Sequence, residues 1–207
     1  MKKSASLIIV LFLLIGIGLV YAGNRSAQDD NLVNSIADAC ASIKSMKCDF
    51  RQVRTVNLMN EPQVSEGRML YKQPSALKWI YTEPFTYSFT FKDDNISIES
   101  EDGHTEIGND AGRMFKGLAG IVLGCMSGQN LKDKRLFQTT FNEQDGEWIA
   151  VLVPQRREVK RVFSEIIMVF DPATSLLKRL TMDDQNGNST EILISNVSIN
   201  GNYDAEW

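Results

Sequence analysis

Apolar and polar residues alternate through most of the stretch from Cys48 to Phe91. Phe50, Gln52, Arg54 and Val56 share one parity. Met69 and Tyr71 fall together, then Leu77, Trp79 and Tyr81, then Tyr87, Phe89 and Phe91. Period-two alternation puts each set on one face of a strand. Turn signals at Asn60-Glu61-Pro62, Gln73-Pro74-Ser75 and Glu83-Pro84 separate the runs. The pattern therefore predicts four consecutive strands in up-and-down order, and a fifth over Asn95–Glu99. Further strands are predicted over Phe137–Phe141, Trp148–Val153, Val162–Phe170, Leu176–Met182 and Ser189–Ile199, with Asp145-Gly146 and Asn186-Gly187 at turns. About ten antiparallel strands do not stay flat, because strand twist curls a sheet of that size. A deeply curved sheet or incomplete barrel is expected, with helices filling its mouth.

Two stretches follow a helical period instead. From Asp29 to Met46, the residues Leu32, Ile36, Ala39, Cys40, Ile43 and Met46 recur at three- and four-residue spacing, and Asp30 or Asn31 can cap the start. The stretch Ala111 to Met126 is helical in length and apolar on more than one side, with Met114, Phe115, Leu118, Ile121 and Val122. Glycines interrupt it, and each costs about 0.5–1 kcal/mol relative to alanine in a helix. It reads either as a greasy segment able to open and close, or as a helix packed closely on another backbone. Leu131 to Leu136 reads as a short helical turn.

The N-terminus changes the picture of where the chain works. Lys2 and Lys3 precede an apolar run from Leu7 to Val20 that ends at Tyr21-Ala22. That is the form of a secretory signal peptide, residues 1–22, and the run is short for a membrane-spanning helix. Cleavage near Ala22 is expected, leaving residues 23–207 as one soluble extracytoplasmic domain and a monomer. Removing two lysines takes 22 basic residues to 20 against 26 acidic ones, a net charge of −6. One basic block stands out, Arg156-Arg157 with Lys160-Arg161. Nucleic-acid binding is disfavoured. The three cysteines, Cys40, Cys48 and Cys125, read best as small buried apolar residues, although a Cys40–Cys48 bridge across the helix end is an alternative.

Candidate chemistry is sparse. The single histidine, His104, sits in a polar, acidic turn and reads as a solvated residue. No motif for a nucleophile, a phosphate or a zinc ion occurs. No catalytic residue, metal or cofactor is expected. What remains is an apolar surplus: Phe50, Met69, Tyr71, Leu77, Trp79, Tyr81, Phe89 and Phe91 on the strands, and Leu118, Ile121 and Val122 on the greasy segment. It reads as an ordinary core or as an apolar cavity for lipid chains. Alternation alone does not fix which strand parity lines such a cavity.

The order of short motifs resembles a family. Phe50-x-Gln52, Glu66-Gly67-x-Met69-Leu70, Lys72-x-Pro74, Leu77-Lys78-Trp79-x-Tyr81 and Pro84 resemble the LolA-type periplasmic lipoprotein carriers. Val153-Pro154, Phe170-Asp171 to Leu180, Asp184-x-x-Gly187-x-x-Thr190 and Asn196-Val197 continue the match. The resemblance implies a mainly β fold with helices: an unclosed antiparallel barrel with a helical lid over an apolar cavity. It implies a non-enzymatic periplasmic carrier that shields lipoprotein acyl chains between the inner and outer membranes. An inner-membrane lipoprotein-releasing ABC transporter would be the donor, and the outer-membrane acceptor is not implied. Related folds carry other envelope lipids or pigment intermediates, or act as sensors that bind a protein partner. Lys72 and Gln73 would sit at the rim. The family often has arginine before the proline of this run, where it hydrogen-bonds the lid shut; here the residue is Gln73.

Overall fold

The computed structural model describes residues 31–74, 76–93, 95–101, 103–106, 124 and 129–207. The expected signal peptide, Cys125 and the lid residues Leu118, Ile121 and Val122 lie outside the described residues. Residues 31–42 form a helix, α1. The strands are β1 (Ser45–Thr55), β2 (Gln63–Lys72), β3 (Ala76–Glu83), β4 (Tyr87–Lys92), β5 (Asn95–Ser100) and β6 (Gly103–Glu106), followed by β7 (Phe137–Gln144), β8 (Glu147–Pro154), β9 (Phe163–Phe170), β10 (Leu177–Asp184) and β11 (Ser189–Ile199). Two one-turn helices, α2 (Gln129–Lys132) and α3 (Arg157–Lys160), lead into β7 and β9.

All eleven strands belong to one sheet in the order β6-β5-β4-β3-β2-β1-β11-β10-β9-β8-β7. Each neighbour pair is antiparallel, and the two halves join where β1 meets β11. The ends of the sheet, β6 and β7, do not pair with each other. The fold is thus the expected unclosed barrel.

Antiparallel register turns the alternation of single strands into rows across the sheet. Cys48, Met69, Trp79, Phe89 and Ile98 stand opposite one another on β1 to β5. Met46, Tyr71, Leu77, Phe91 and Ile96 form the next row. On the other half, Ile192, Leu180, Met168, Ala150 and Phe141 align in the same way. All of these except Ile98 belong to one core with Ile36 and Cys40 of α1 and with Ile43 just after it. The inner face is therefore the parity that carries Trp79.

Three details differ from the sequence expectation. α1 ends at residue 42, and Met46 lies in β1 opposite Tyr71 and Ile199. The sheet side captures the backbone there: Lys44 N donates to Asn200 Oδ1 at 2.7 Å, and Gln73 N donates to the Lys44 carbonyl at 2.9 Å. His104 lies on an edge strand, β6, opposite Glu99, and not in a turn. The polar run around Arg157 forms α3, too short to show a period.

Candidate functional site

The inner face of β1 to β4 is aromatic. The Phe50 ring lies 4.6 Å from Trp79 and 5.2 Å from Tyr81, the latter edge-on, and Tyr81 stacks on Tyr87 at 4.4 Å. Such pairs add about 0.5–1.5 kcal/mol beyond the area they bury. Gly67 makes the cluster fit. It stands between Phe50 and Tyr81 in register. A Cβ there would run into the Ile80 carbonyl oxygen and the Phe50 ring, so the Phe50 side chain lies over a position that only glycine leaves clear.

Of the residues expected to line a cavity, Phe50, Met69, Tyr71, Leu77, Trp79 and Phe91 are buried on this face, and Tyr81 and Phe89 are partly buried beside them. The polar tips are handled unequally. Tyr81 Oη donates to Gln52 Oε1 at 3.1 Å, and burial with the neighbouring Tyr87 raises its hydroxyl pKa. Burial likewise raises that of Tyr71, with Cys40 adding to it. Trp79 Nε1 is different. The residue is 8% exposed, and its N–H makes no well-formed hydrogen bond among the described residues, although the Tyr81 hydroxyl lies close enough to interact with it. A buried donor left unpaired costs about 1–3 kcal/mol, and native structures rarely keep one without a reason.

Cys40 of α1 and Cys48 of β1 are buried and unbridged in the same core. Burial pushes the Cys40 thiol up to about 11 and the Cys48 thiol to about 12, where Asp49 contributes. Both stay protonated at neutral pH and act as small apolar groups. His104 Nδ1 lies 3.8 Å from Glu99 Oε1 and is half exposed. Among the described residues no group of three His, Cys, Asp or Glu side chains could hold a metal ion.

At the rim, Lys72 pairs with Asp204 of the C-terminal turn, and Lys47 Nζ lies 2.8 Å from Glu206 Oε1. Gln73 Nε2 donates to the Ala41 carbonyl at 3.3 Å. Gln73 therefore holds the last turn of α1. Asn200 does the same from the other side: Nδ2 donates to the Ser42 carbonyl at 3.2 Å, with its backbone at φ 58°. Sequence reading missed Asn200, although Asn200-Gly201 is a turn signal.

One unclosed antiparallel sheet with an aromatic inner face defines the half-barrel fold class. The chain belongs to the family described as outer membrane lipoprotein carrier protein LolA, whose model matches residues 41–207. Among solved structures, an uncharacterised conserved protein from Thermus thermophilus is similar at TM-score 0.51 and 8% identity, over 87% of this chain and 91% of that one. The Pseudomonas aeruginosa MucA/MucB complex matches at TM-score 0.52 and 10% identity, over 87% of this chain and 60% of that one. The lipoprotein LppX of Mycobacterium tuberculosis matches at TM-score 0.48 and 17% identity, over 84% and 98%. A comparison with curated proteins finds no sequence match. These similarities describe the fold.

Proposed function

We propose that this protein is a non-enzymatic periplasmic carrier that shields lipoprotein acyl chains on the inner face of its sheet. In this reading the first 22 residues direct export and are removed. The cargo is taken from an inner-membrane lipoprotein-releasing ABC transporter and handed on toward the outer membrane. Membership of the carrier family supports the reading. The observation that carries it is the inner face itself: cross-strand rows of large apolar side chains with one buried donor, Trp79 Nε1, that has no well-formed hydrogen bond. Burying a chain there is worth about 0.8 kcal/mol per methylene. An acyl carbonyl would give the indole N–H a better-placed acceptor than the Tyr81 hydroxyl.

A second reading is a binder of a protein partner. The open edge at β7, which has no strand on its outer side among the described residues, favours it. MucB, captured with MucA in the similar structure, is a partner binder on the same fold. Calorimetric titration with a triacylated lipopeptide separates the two. Saturable binding that weakens when Leu77 is changed to Asp supports the carrier. Absence of binding by a folded protein favours the partner reading.

A further inference from the structure

Antiparallel register gathers several connections at one end of the sheet. Thr55 faces Ser189, Asp184 faces Phe163, and Pro154 faces Phe137. The β1–β2 loop, the β10–β11 turn, the β8–β9 link and the segment before β7 therefore form one continuous rim. Hydrogen bonds stitch it together. Asn57 N donates to Asn188 Oδ1 at 3.0 Å, Gln185 Nε2 to the Lys160 carbonyl at 2.8 Å, and Gln155 N to the Leu136 carbonyl at 2.7 Å.

The β7–β9 part of this rim carries a charge opposite to that of the chain. Residues 155–162 carry Arg156, Arg157, Lys160 and Arg161 against Glu158, and residues 129–136 carry Lys132, Lys134 and Arg135 against Asp133. Those two segments hold seven basic groups and two acidic ones, in a chain of net charge −4, whereas the β3–β4 and β5–β6 turns farther along the same end carry Glu83 and Glu101. Asp133 is taken by Arg135. The bases are exposed, and among the described residues none of the other six makes an ion pair. At the β1–β2 end of the same rim, Leu58 is 96% exposed and Met59 is half exposed. Glu61 is the acid of that loop, and Asp184 is held by its own turn through Asn186 and Asn188.

We propose that this rim docks the protein on an anionic phospholipid surface. Basic side chains without internal partners meet lipid phosphates, at about a fivefold gain in binding for each one near the surface. Leu58, almost fully exposed in the β1–β2 loop, inserts into the headgroup layer. A small apolar loop tip, Leu58 with Met59, beside a basic patch fits a bilayer, which takes an apolar side chain without a shaped pocket. The inference does not depend on what the inner face holds. It places the carrier at a membrane during loading or delivery.

The exported protein would be mixed with phosphatidylcholine vesicles, with and without phosphatidylglycerol, and co-sedimentation measured at low and high salt. Binding is expected only with phosphatidylglycerol and is expected to fall with salt. Arg156→Glu with Arg157→Glu should weaken it by at least about 25-fold. Leu58→Asp should weaken it several-fold, and Lys92→Glu, at the opposite end of the sheet, should leave it unchanged. All variants should keep the wild-type circular dichroism and the wild-type affinity for free lipopeptide. No phosphatidylglycerol-dependent binding, or binding that survives the double charge reversal, would overturn the proposal and leave the patch to an acidic protein. Loss of lipopeptide binding alone would count against the carrier reading and not against this one.

Discussion

Gly67 and Trp79 show what single residues contribute to the inner face. Gly67 gives the Phe50 ring its place, because a methyl group would meet both that ring and the Ile80 carbonyl. Gly67→Ala should therefore destabilise the fold by about 1–3 kcal/mol, as overpacking does, and a lowered urea midpoint with an unchanged slope would show it. A variant as stable as wild type would mean that the Phe50–Trp79–Tyr81 cluster can shift without cost. Trp79 carries the opposite problem, a buried donor whose one polar neighbour, the Tyr81 hydroxyl, is poorly placed to accept from it. If an acyl carbonyl accepts from it, an ester lipid should bind about fivefold better than its ether analogue, the worth of one hydrogen bond near 1 kcal/mol. Trp79→Phe should erase that preference while keeping hydrocarbon binding. Equal binding of ester and ether lipids by wild type would remove the indole N–H from the recognition.

The elements were legible where a period could establish itself. Each predicted strand is present within a few residues, because one face of every strand is buried and alternation records that face. The boundary of α1 was not legible. Its apolar spacing runs on through Met46, yet Asn200 and Gln73 claim the backbone from across the chain. Contacts 156 residues apart leave no local signal. The aromatic half of the inner face was readable as a surplus of large side chains, but its parity came only from the register against the core around α1. Gln73 gives this scale its test. A neutral donor at 3.3 Å from the Ala41 carbonyl is a weak tie, whereas arginine would bring a charge-assisted, forked donor to a helix C-terminus. Gln73→Arg should slow amide exchange in the last turn of α1 and raise stability by about 0.5–1 kcal/mol, and it should reduce cargo uptake if α1 must yield. Unchanged exchange would show that Gln73 does not hold the helix.

The β10–β11 turn adds a pH dependence. Asp184 accepts from Asn188 and from the backbone N–H groups of Asn188 and Asn186, which hold its carboxyl below the usual value of 3.8. A depressed folded-state pKa means that the stabilising contribution is complete above the unfolded value and is lost as pH falls through the folded one. Wild type should therefore lose stability below about pH 4, and Asp184→Asn should blunt that loss, as followed by thermal midpoints across the acid range. An identical acid profile in the variant would place the sensitivity elsewhere, at Asp133 or Glu147, whose pKa values are also lowered.

At the scale of the molecule, the eleven strands of the described residues form one unclosed sheet, which presents an inner face, two edge strands and two rims. The inner face is apolar and part of one rim is basic, in an otherwise acidic chain. That division suits a carrier: cargo inside, a membrane met at one end. Sequence pattern showed the basic block, but register alone shows that it shares a rim with Leu58 and with the bases before β7. The central claim is that the inner face takes up acyl chains, and Trp79 is its built-in reporter. The chain has three tryptophans, so Trp148→Phe and Trp207→Phe together would leave Trp79 emission alone. Titration of that variant with a triacylated lipopeptide should give a saturable change in emission. The change should be larger in intensity than in wavelength, because Trp79 is already 8% exposed. No saturable change, with calorimetry also silent and the fold intact, would contradict the claim.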